Sequence, residues 1–187
     1  MEFERLSLPE VVKVTPRRIG DARGYFSEIF KEAWFRDNIA DVTFVQDNQS
    51  LSARAGTLRG LHFQLDPFAQ GKLVRCITGV IFDVAVDIRI GSPNYGKWIG
   101  LELSAETGDQ LWIPPGFAHG FATLRPDSLV HYKVTAPYSA EHDRGLRWDD
   151  PLIAIDWPVD RATISLSEKD LHHPPLAELR PAFEYPR

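Results

Sequence analysis

The feature that most limits how this chain can fold is the density of its turn signals. Clusters of Gly, Pro, Asn and Asp recur so often that every apolar run between them is short, and short runs bounded by turns read as β-strands. Residues 11–19 form one such run, closed by Gly20-Asp21; residues 25–30, 42–51 and 57–64 follow. Residues 72–77 and 80–90 flank Thr78-Gly79, which reads as a hairpin signal. Residues 95–103, 109–113, 119–124 and 128–135 complete the series, and residues 31–38 read as a short helix. Along 80–90, Phe82, Val84, Val86 and Ile88 share one face, and Ile81, Asp83, Ala85 and Asp87 the other. This pattern predicts an all-β sandwich or barrel, the double-sheet jelly roll included.

From Ala136 onward seven prolines (137, 151, 158, 174, 175, 181 and 186) interrupt the texture. That segment reads as an irregular extension with one or two short helices. One helix begins within residues 165–170, with Ser165 or Ser167 as its N-cap. No apolar periodicity there builds a separate core. The 187 residues are therefore expected to form a single domain, 1–187, with a core at about 21–135 and an extension at 136–187.

Charge and cysteine content narrow the function classes. Lys and Arg total 21 against 26 Asp and Glu, a net charge of -5. No global basic field favours nucleic acid or an anionic membrane, so any anionic ligand must meet a local cluster of cations. The lone Cys76 excludes an internal disulfide framework. The acidic N-terminus lacks the apolar stretch of a secretory signal, and the most apolar run, 79–90, is cut by Asp83 and Asp87 and is too short for a bilayer. A cytoplasmic location is expected.

Two segments carry the sharpest signal: Gly56-Thr57-Leu58-Arg59-Gly60-Leu61-His62-Phe63-Gln64, and Gly108 through Pro114-Pro115-Gly116-Phe117-Ala118-His119. Here the chain resembles the cupin superfamily of jelly-roll barrels. Metal-binding cupins carry a second histidine two residues after the first; here that position is Gln64, and no Glu follows closely. His62 and His119 alone make a poor divalent site, so no metal is expected.

More segments tighten the resemblance. They include Asp21-Ala22-Arg23-Gly24-Tyr25-Phe26-Ser27-Glu28, Gln46-Asp47-Asn48-Gln49-Ser50, Gly71-Lys72-Leu73-Val74-Arg75, Tyr132-Lys133 and Leu166-Ser167-Glu168-Lys169-Asp170. In order and spacing the chain is similar to the dTDP-4-dehydrorhamnose 3,5-epimerase family from about residue 21 to 170. The resemblance implies inversion of dTDP-4-keto-6-deoxyglucose at C3 and C5, a cofactor-free mechanism and a homodimer.

Inversion beside a ketone needs a base, a cation for the enolate oxygen and an acid on the opposite face. By the resemblance His62 is the base, Asp170 its orienting carboxylate, Lys72 the enolate cation and Tyr132 the acid. Arg23 and Arg59 match positions near the diphosphate, Phe26 one near the thymine, and Glu28 an acceptor for the pyrimidine N–H. Gln46, Asn48, His119 and Tyr138 complete the expected substrate-binding set. A regular pleat sends Arg59 to the face opposite His62, so it lines a common site only through a bulge or a strand end. Without the resemblance, Lys72 is a strand-end lysine, Tyr132 a packing tyrosine, Asp170 a helix-start carboxylate, His119 a core histidine and His62 a surface one. His131, His142, His172 and His173 read as solvated. Pro137 stands where the family often has a second tyrosine before Tyr138, which leaves a single-position epimerase or a non-catalytic sugar-nucleotide-binding cupin as alternatives.

Overall fold

The computed structural model describes residues 1–186; Arg187, the end of the expected extension, lies outside them. Strands β1 (Glu2–Arg5), β2 (Val12–Thr15), β3 (Arg18–Asp21) and β4 (Gly24–Ser27) lead into helix α1 (Glu32–Asn38). Next come β5 (Gln46–Ser52), β6 (Leu58–Gln64), β7 (Lys72–Thr78), β8 (Val80–Asp87) and the two-residue β9 (Arg89–Ile90). β10 (Trp98–Ser104), β11 (Gln110–Ile113), β12 (Phe117–Thr123) and β13 (Ser128–Val134) follow. The chain continues through β14 (Asp143–Gly145), α2 (Glu168–Leu171), a 3-10 turn at Leu176–Glu178 and β15 (Phe183–Glu184).

The fold is the expected all-β double sheet. One sheet runs β1-β2-β11-β7-β13-β5 and the other β10-β8-β12-β6-β14. Between them, Val74, Cys76, Leu111, Ile113 and Val130 of the first sheet pack on Ile81, Ala85, Leu103, Phe117 and Phe121 of the second. Both outer faces are covered as well. Phe35 of α1 packs on Val12, Val14, Leu73 and Trp112. The C-terminal segment lays Ile153, Ile155, Trp157 and Leu176 on Leu58, Leu61, Phe63, Val84, Val86 and Ile88. β8 is therefore buried on both faces: one row is apolar throughout, and the other sets Ile81 and Ala85 beside the buried Asp83 and Asp87. Each large aliphatic side chain so buried contributes about 1.5–3 kcal/mol of transfer free energy.

Several expectations are corrected. Thr78-Gly79 is not a hairpin: β7 lies in the six-stranded sheet and β8 in the five-stranded one. Both ladder edges of each strand are already taken, β7 by β11 and β13, β8 by β10 and β12. Gly79, at φ +82°, turns the chain between layers instead. The single strand expected over 11–19 breaks at Pro16, which brings no N–H to a ladder. β2 stays in the sheet, and β3 pairs with β4 as a separate hairpin. β1 and β2 belong to the six-stranded sheet, so the barrel begins ahead of residue 21. The expected irregular extension contains two short strands: β14 extends the five-stranded sheet beside β6, and β15 pairs with β9. Ser167, not Ser165, caps α2, accepting the Asp170 backbone N–H.

Candidate active site

β6 carries the central histidine, and its backbone explains how. The β12–β6 register pairs His119 with His62 but Phe121 with Arg59, so two residues of β6, Gly60 and Leu61, oppose one of β12, Gly120. This bulge sits at Gly60-Leu61. Gly60 adopts φ +125°, and a Cβ there would fall 2.6 Å from Gly120 Cα. The extra residue flips the alternation. Leu58 and Leu61, three apart, both pack on the outer face, and Arg59 and His62 both turn inward to one cavity. The difficulty with Arg59 is thus resolved by the bulge route.

That cavity, of about 420 Å³, opens between the sheets and is lined by Arg59, His62, Lys72, His119, Tyr132 and Asp170, with Ser50 and the 165–167 segment. It adjoins a second hollow of about 340 Å³ holding Gln46, Asn48 and Tyr138; His62, Lys72 and Tyr132 border both. Nine of the twelve expected site residues therefore meet in one continuous space.

His62 and Asp170, 108 residues apart in the chain, are in contact: Nε2 lies 2.5 Å from Oδ1. α2 provides the carboxylate by packing its first turn against β6. Burial pushes the Asp170 carboxyl up, but the imidazoles of His173 and His62 outweigh it and hold the group well below the usual carboxylate range. For His62, burial lowers the imidazole and Asp170 only partly restores it. The resting pair is thus a neutral imidazole beside a carboxylate. Its Nε2 must carry the hydrogen and donate it, since a carboxylate only accepts. Nδ1 then holds the free lone pair, and it makes no hydrogen bond among the described residues.

Lys72 and Tyr132 enter from the opposing sheet. Lys72 shares the inner face of β7 with Val74 and Cys76 and is 8% exposed. Burial pushes its ammonium down to about 8, with Asp143 and Asp83 partly restoring it. Its Nζ lies 3.4 Å from the His62 carbonyl oxygen. Tyr132 packs against the inter-sheet core, and burial raises its phenol, so it stays protonated at neutral pH. His119 is both a core histidine and a cavity wall: Nε2 lies 2.8 Å from Asp83 Oδ1, and both side chains are buried. Gln64 ties loops together. Its amide nitrogen donates to the Phe68 and Pro137 carbonyls and its oxygen accepts from Ser139 N–H, so it is not free to ligate an ion beside His62. Gln46 donates to Asn48 and accepts the Tyr138 N–H, while the Tyr138 hydroxyl donates to Asp143.

Three expected residues do not reach this cavity. Arg23 and Phe26 lie on the β3–β4 hairpin, and Glu28 just follows it. The hairpin packs on the outer side of the six-stranded sheet, beside Arg75, which faces away from Lys72 on β7. Arg18 anchors it through the Ala105 and Glu106 carbonyls. Among the described residues Arg23 pairs only with Asp21, and Phe26 is 69% exposed. The motif carries no information on which side of the sheet these residues fall.

Three of the four histidines expected to be solvated need correction. Only His172 is well exposed, at 78%. His142 meets Ser139 Oγ at 2.8 Å and packs on Phe68. His131 is largely covered beside Asp47. His173 is buried against Asp170, 3.4 Å from Oδ1. Asp143, also unforeseen, accepts from Lys169 and Tyr138 and borders the second hollow. Neither has a sequence signal of its own, because both depend on β14 joining β6.

The family model described as dTDP-4-dehydrorhamnose 3,5-epimerase matches residues 5–178. The chain belongs to this family. A dTDP-4-dehydrorhamnose 3,5-epimerase of Sinorhizobium fredii is 65% identical over 185 residues, 99% of this chain and 94% of that one. The crystal structure of the dTDP-6-deoxy-D-glucose-3,5-epimerase of Legionella pneumophila, in complex with dTDP-4-keto-L-rhamnose, superposes with a TM-score of 0.95 at 40% identity, covering 100% of this chain and 99% of that one. The 3'-monoepimerase ChmJ of Streptomyces bikiniensis, in complex with dTDP-quinovose, has a TM-score of 0.85 at 31% identity, with 92% of this chain and 86% of that one covered. The epimerase fold thus accommodates both double and single inversion.

Proposed function

We propose that this chain epimerises dTDP-4-dehydro-6-deoxy-glucose at C3 and C5, giving dTDP-4-dehydro-L-rhamnose through enolate intermediates. The observation that carries the reading is the origin of the side chains: His62 projects from one sheet, and Lys72 and Tyr132 from the other, into one cavity. A sugar ring between the sheets presents opposite faces to base and acid, which is what inversion requires.

Both carbons flank the C4 ketone, so loss of either proton gives an enolate. His62 Nδ1 takes the proton, and the C–H electron pair moves to form the enolate with its charge on the C4 oxygen. Asp170 holds the resulting imidazolium in place. Lys72, still mostly protonated at pH 7, meets the enolate oxygen. The Tyr132 hydroxyl then delivers a proton to the opposite face of the same carbon. Each inversion leaves His62 protonated and Tyr132 deprotonated; proton exchange with water resets both, and since no step is an oxidation or reduction, none calls for a redox cofactor. Arg59 and the Gln46, Asn48, His119 and Tyr138 group hold the nucleotide and ring.

We also read residues 1–187 as one domain, because the C-terminal segment shares its core with β6 and β8. A homodimer accounts for the displaced hairpin. Ile19, Tyr25 and Phe26 are exposed on the outer side of the sheet, and a second copy would bring Arg23, Phe26 and Glu28 to a cavity they do not reach in their own chain. No helix among the described residues is long and apolar enough to cross a membrane, which accords with a cytoplasmic role.

The test is deuterium uptake from D2O into dTDP-4-keto-6-deoxyglucose, followed by NMR. Uptake at C3 and C5 is expected, and its loss in His62→Ala with nucleotide binding retained. Uptake at one carbon only would make the chain a single-position epimerase. Full uptake in His62→Ala would remove His62 as the base.

A further inference from the structure

His173 has no part in the proposed chemistry, yet the fold places it with care. Its side chain is 9% exposed, and its Nε2 is buried without a hydrogen-bond partner. The ring lies directly on Gly145, where a Cβ would fall 2.2 Å from Cε1 and Nε2. Gly145 is the cross-strand partner of His62 in the β14–β6 ladder. The His173 ring thus fills the space of a side chain at 145 and stands edge-on to the His62 ring, 5.4 Å between centroids. Nε2 ends 3.4 Å from Asp170 Oδ1, the same oxygen that meets His62 Nε2 at 2.5 Å.

We propose that His62, Asp170 and His173 form a binding site for a borderline-soft divalent ion, Zn²⁺ above all, and that an ion bound there switches the base off. The first half stands on the cluster alone; the second rests on His62 being the base. One ligand atom from each of the three residues lies within 4.8 Å of the others. Two imidazoles and a carboxylate are a zinc donor set, with a water to complete the fourth position. Ligands on a tetrahedral zinc stand about 3.3 Å apart. The His173–Asp170 spacing already matches. The His62–Asp170 contact must open by about 0.8 Å, which follows once the ion replaces the hydrogen on His62 Nε2. That hydrogen moves to Nδ1, so the ring stays neutral and no proton is lost. Nδ1 is then a donor and takes no proton from the sugar. Lys169 and Lys72 lie nearby as opposing charges, but Lys169 is paired with the Asp143 carboxylate.

Full-length protein, stripped by chelator and desalted, is titrated with Co²⁺ and read by its visible d–d absorption, then back-titrated with Zn²⁺. One Co²⁺ per chain, displaced by Zn²⁺, is expected. His173→Ala should weaken binding by at least about tenfold, since two ligands make a poor site; His173→Asn gives the same reading if the alanine variant folds badly. His172→Ala, which alters an exposed neighbour, should leave binding intact. Absence of the band in wild type, or equal affinity in both His173 variants, overturns the site. In parallel, Zn²⁺ should suppress deuterium uptake in proportion to occupancy. Co²⁺ binding with unimpaired uptake would overturn the switch and leave the site standing. Absence of any uptake in metal-free wild type would count against the epimerase reading and not against the Co²⁺ result.

Discussion

Replacing Lys72 by methionine should make the protein more stable and nearly inactive. Burial lowers the Lys72 ammonium from its usual 10.5 to about 8. At about 1.4 kcal/mol per pH unit, holding that charge in the folded chain costs roughly 3 kcal/mol. The cost is full below about pH 8, where lysine is charged both folded and unfolded. It fades between about 8 and 10.5, where the folded chain has shed the proton and the unfolded chain has not, and is gone above that. Methionine fills similar volume without the charge but loses the long contact to the His62 carbonyl, worth about 1 kcal/mol. A net gain of about 2 kcal/mol is expected at pH 7, or about 4–8 °C in Tm for a chain of this size. Urea unfolding at pH 7 and again near pH 10 measures it, and the gain should shrink toward zero at the higher pH. At pH 7 deuterium uptake should fall by about a hundredfold or more, as when an oxyanion donor is removed, and by less near pH 10, where Lys72 of the wild type has itself lost its proton. A Lys72→Met protein less stable than wild type at pH 7, or equally stabilised at both pH values, would refute the reasoning that Lys72 is a charge kept buried for its chemistry.

Tyr132→Phe should separate exchange from inversion. His62 still removes the proton and can return deuterium to the same face, so NMR should show uptake at C3 with little inverted product, and equal loss of both would count against Tyr132 as the opposite-face acid. Gly60→Ala should cost about 3 kcal/mol or more, from strain at φ +125° and the 2.6 Å approach to Gly120; near wild-type urea unfolding and turnover would mean the bulge is not needed to aim Arg59 and His62.

What was legible in the sequence was whatever is set by local period and punctuation. The two faces of β8 and the short helix before residue 39 follow from alternation and turns, whereas Lys72 and Tyr132 were assigned to the site by the family resemblance. What was hidden depends on partners distant in the chain. Thr78-Gly79 has the composition of a hairpin turn, and only the full occupancy of both ladder edges by other strands makes it a crossover. β14 lacks apolar alternation and is a strand only because the β6 edge is open to it, so the burial of His173 and the placing of Asp143 could not be foreseen. The His62–Asp170 contact required a family resemblance, since no local rule joins a strand to a helix start 108 residues away.

The epimerase reading rests finally on how the two layers divide the chemistry. A single sheet projects its inward side chains toward one side of a bound ring, and a base and acid drawn from it would exchange protons without inverting the carbon. Two facing sheets remove that restriction, provided each turns the right residues inward. On β7 and β13 ordinary alternation achieves this for Lys72 and Tyr132. On β6 it does not, because His62 and Arg59 are three residues apart and a regular strand would point one of them into the outer core. The bulge at Gly60-Leu61 changes the parity and brings both to the cavity. It also keeps Leu58 and Leu61 together in the outer core. One inserted residue therefore satisfies the packing of the outer layer and the geometry of the site at once, and the close approach of Gly60 to Gly120 is the condition on which both depend.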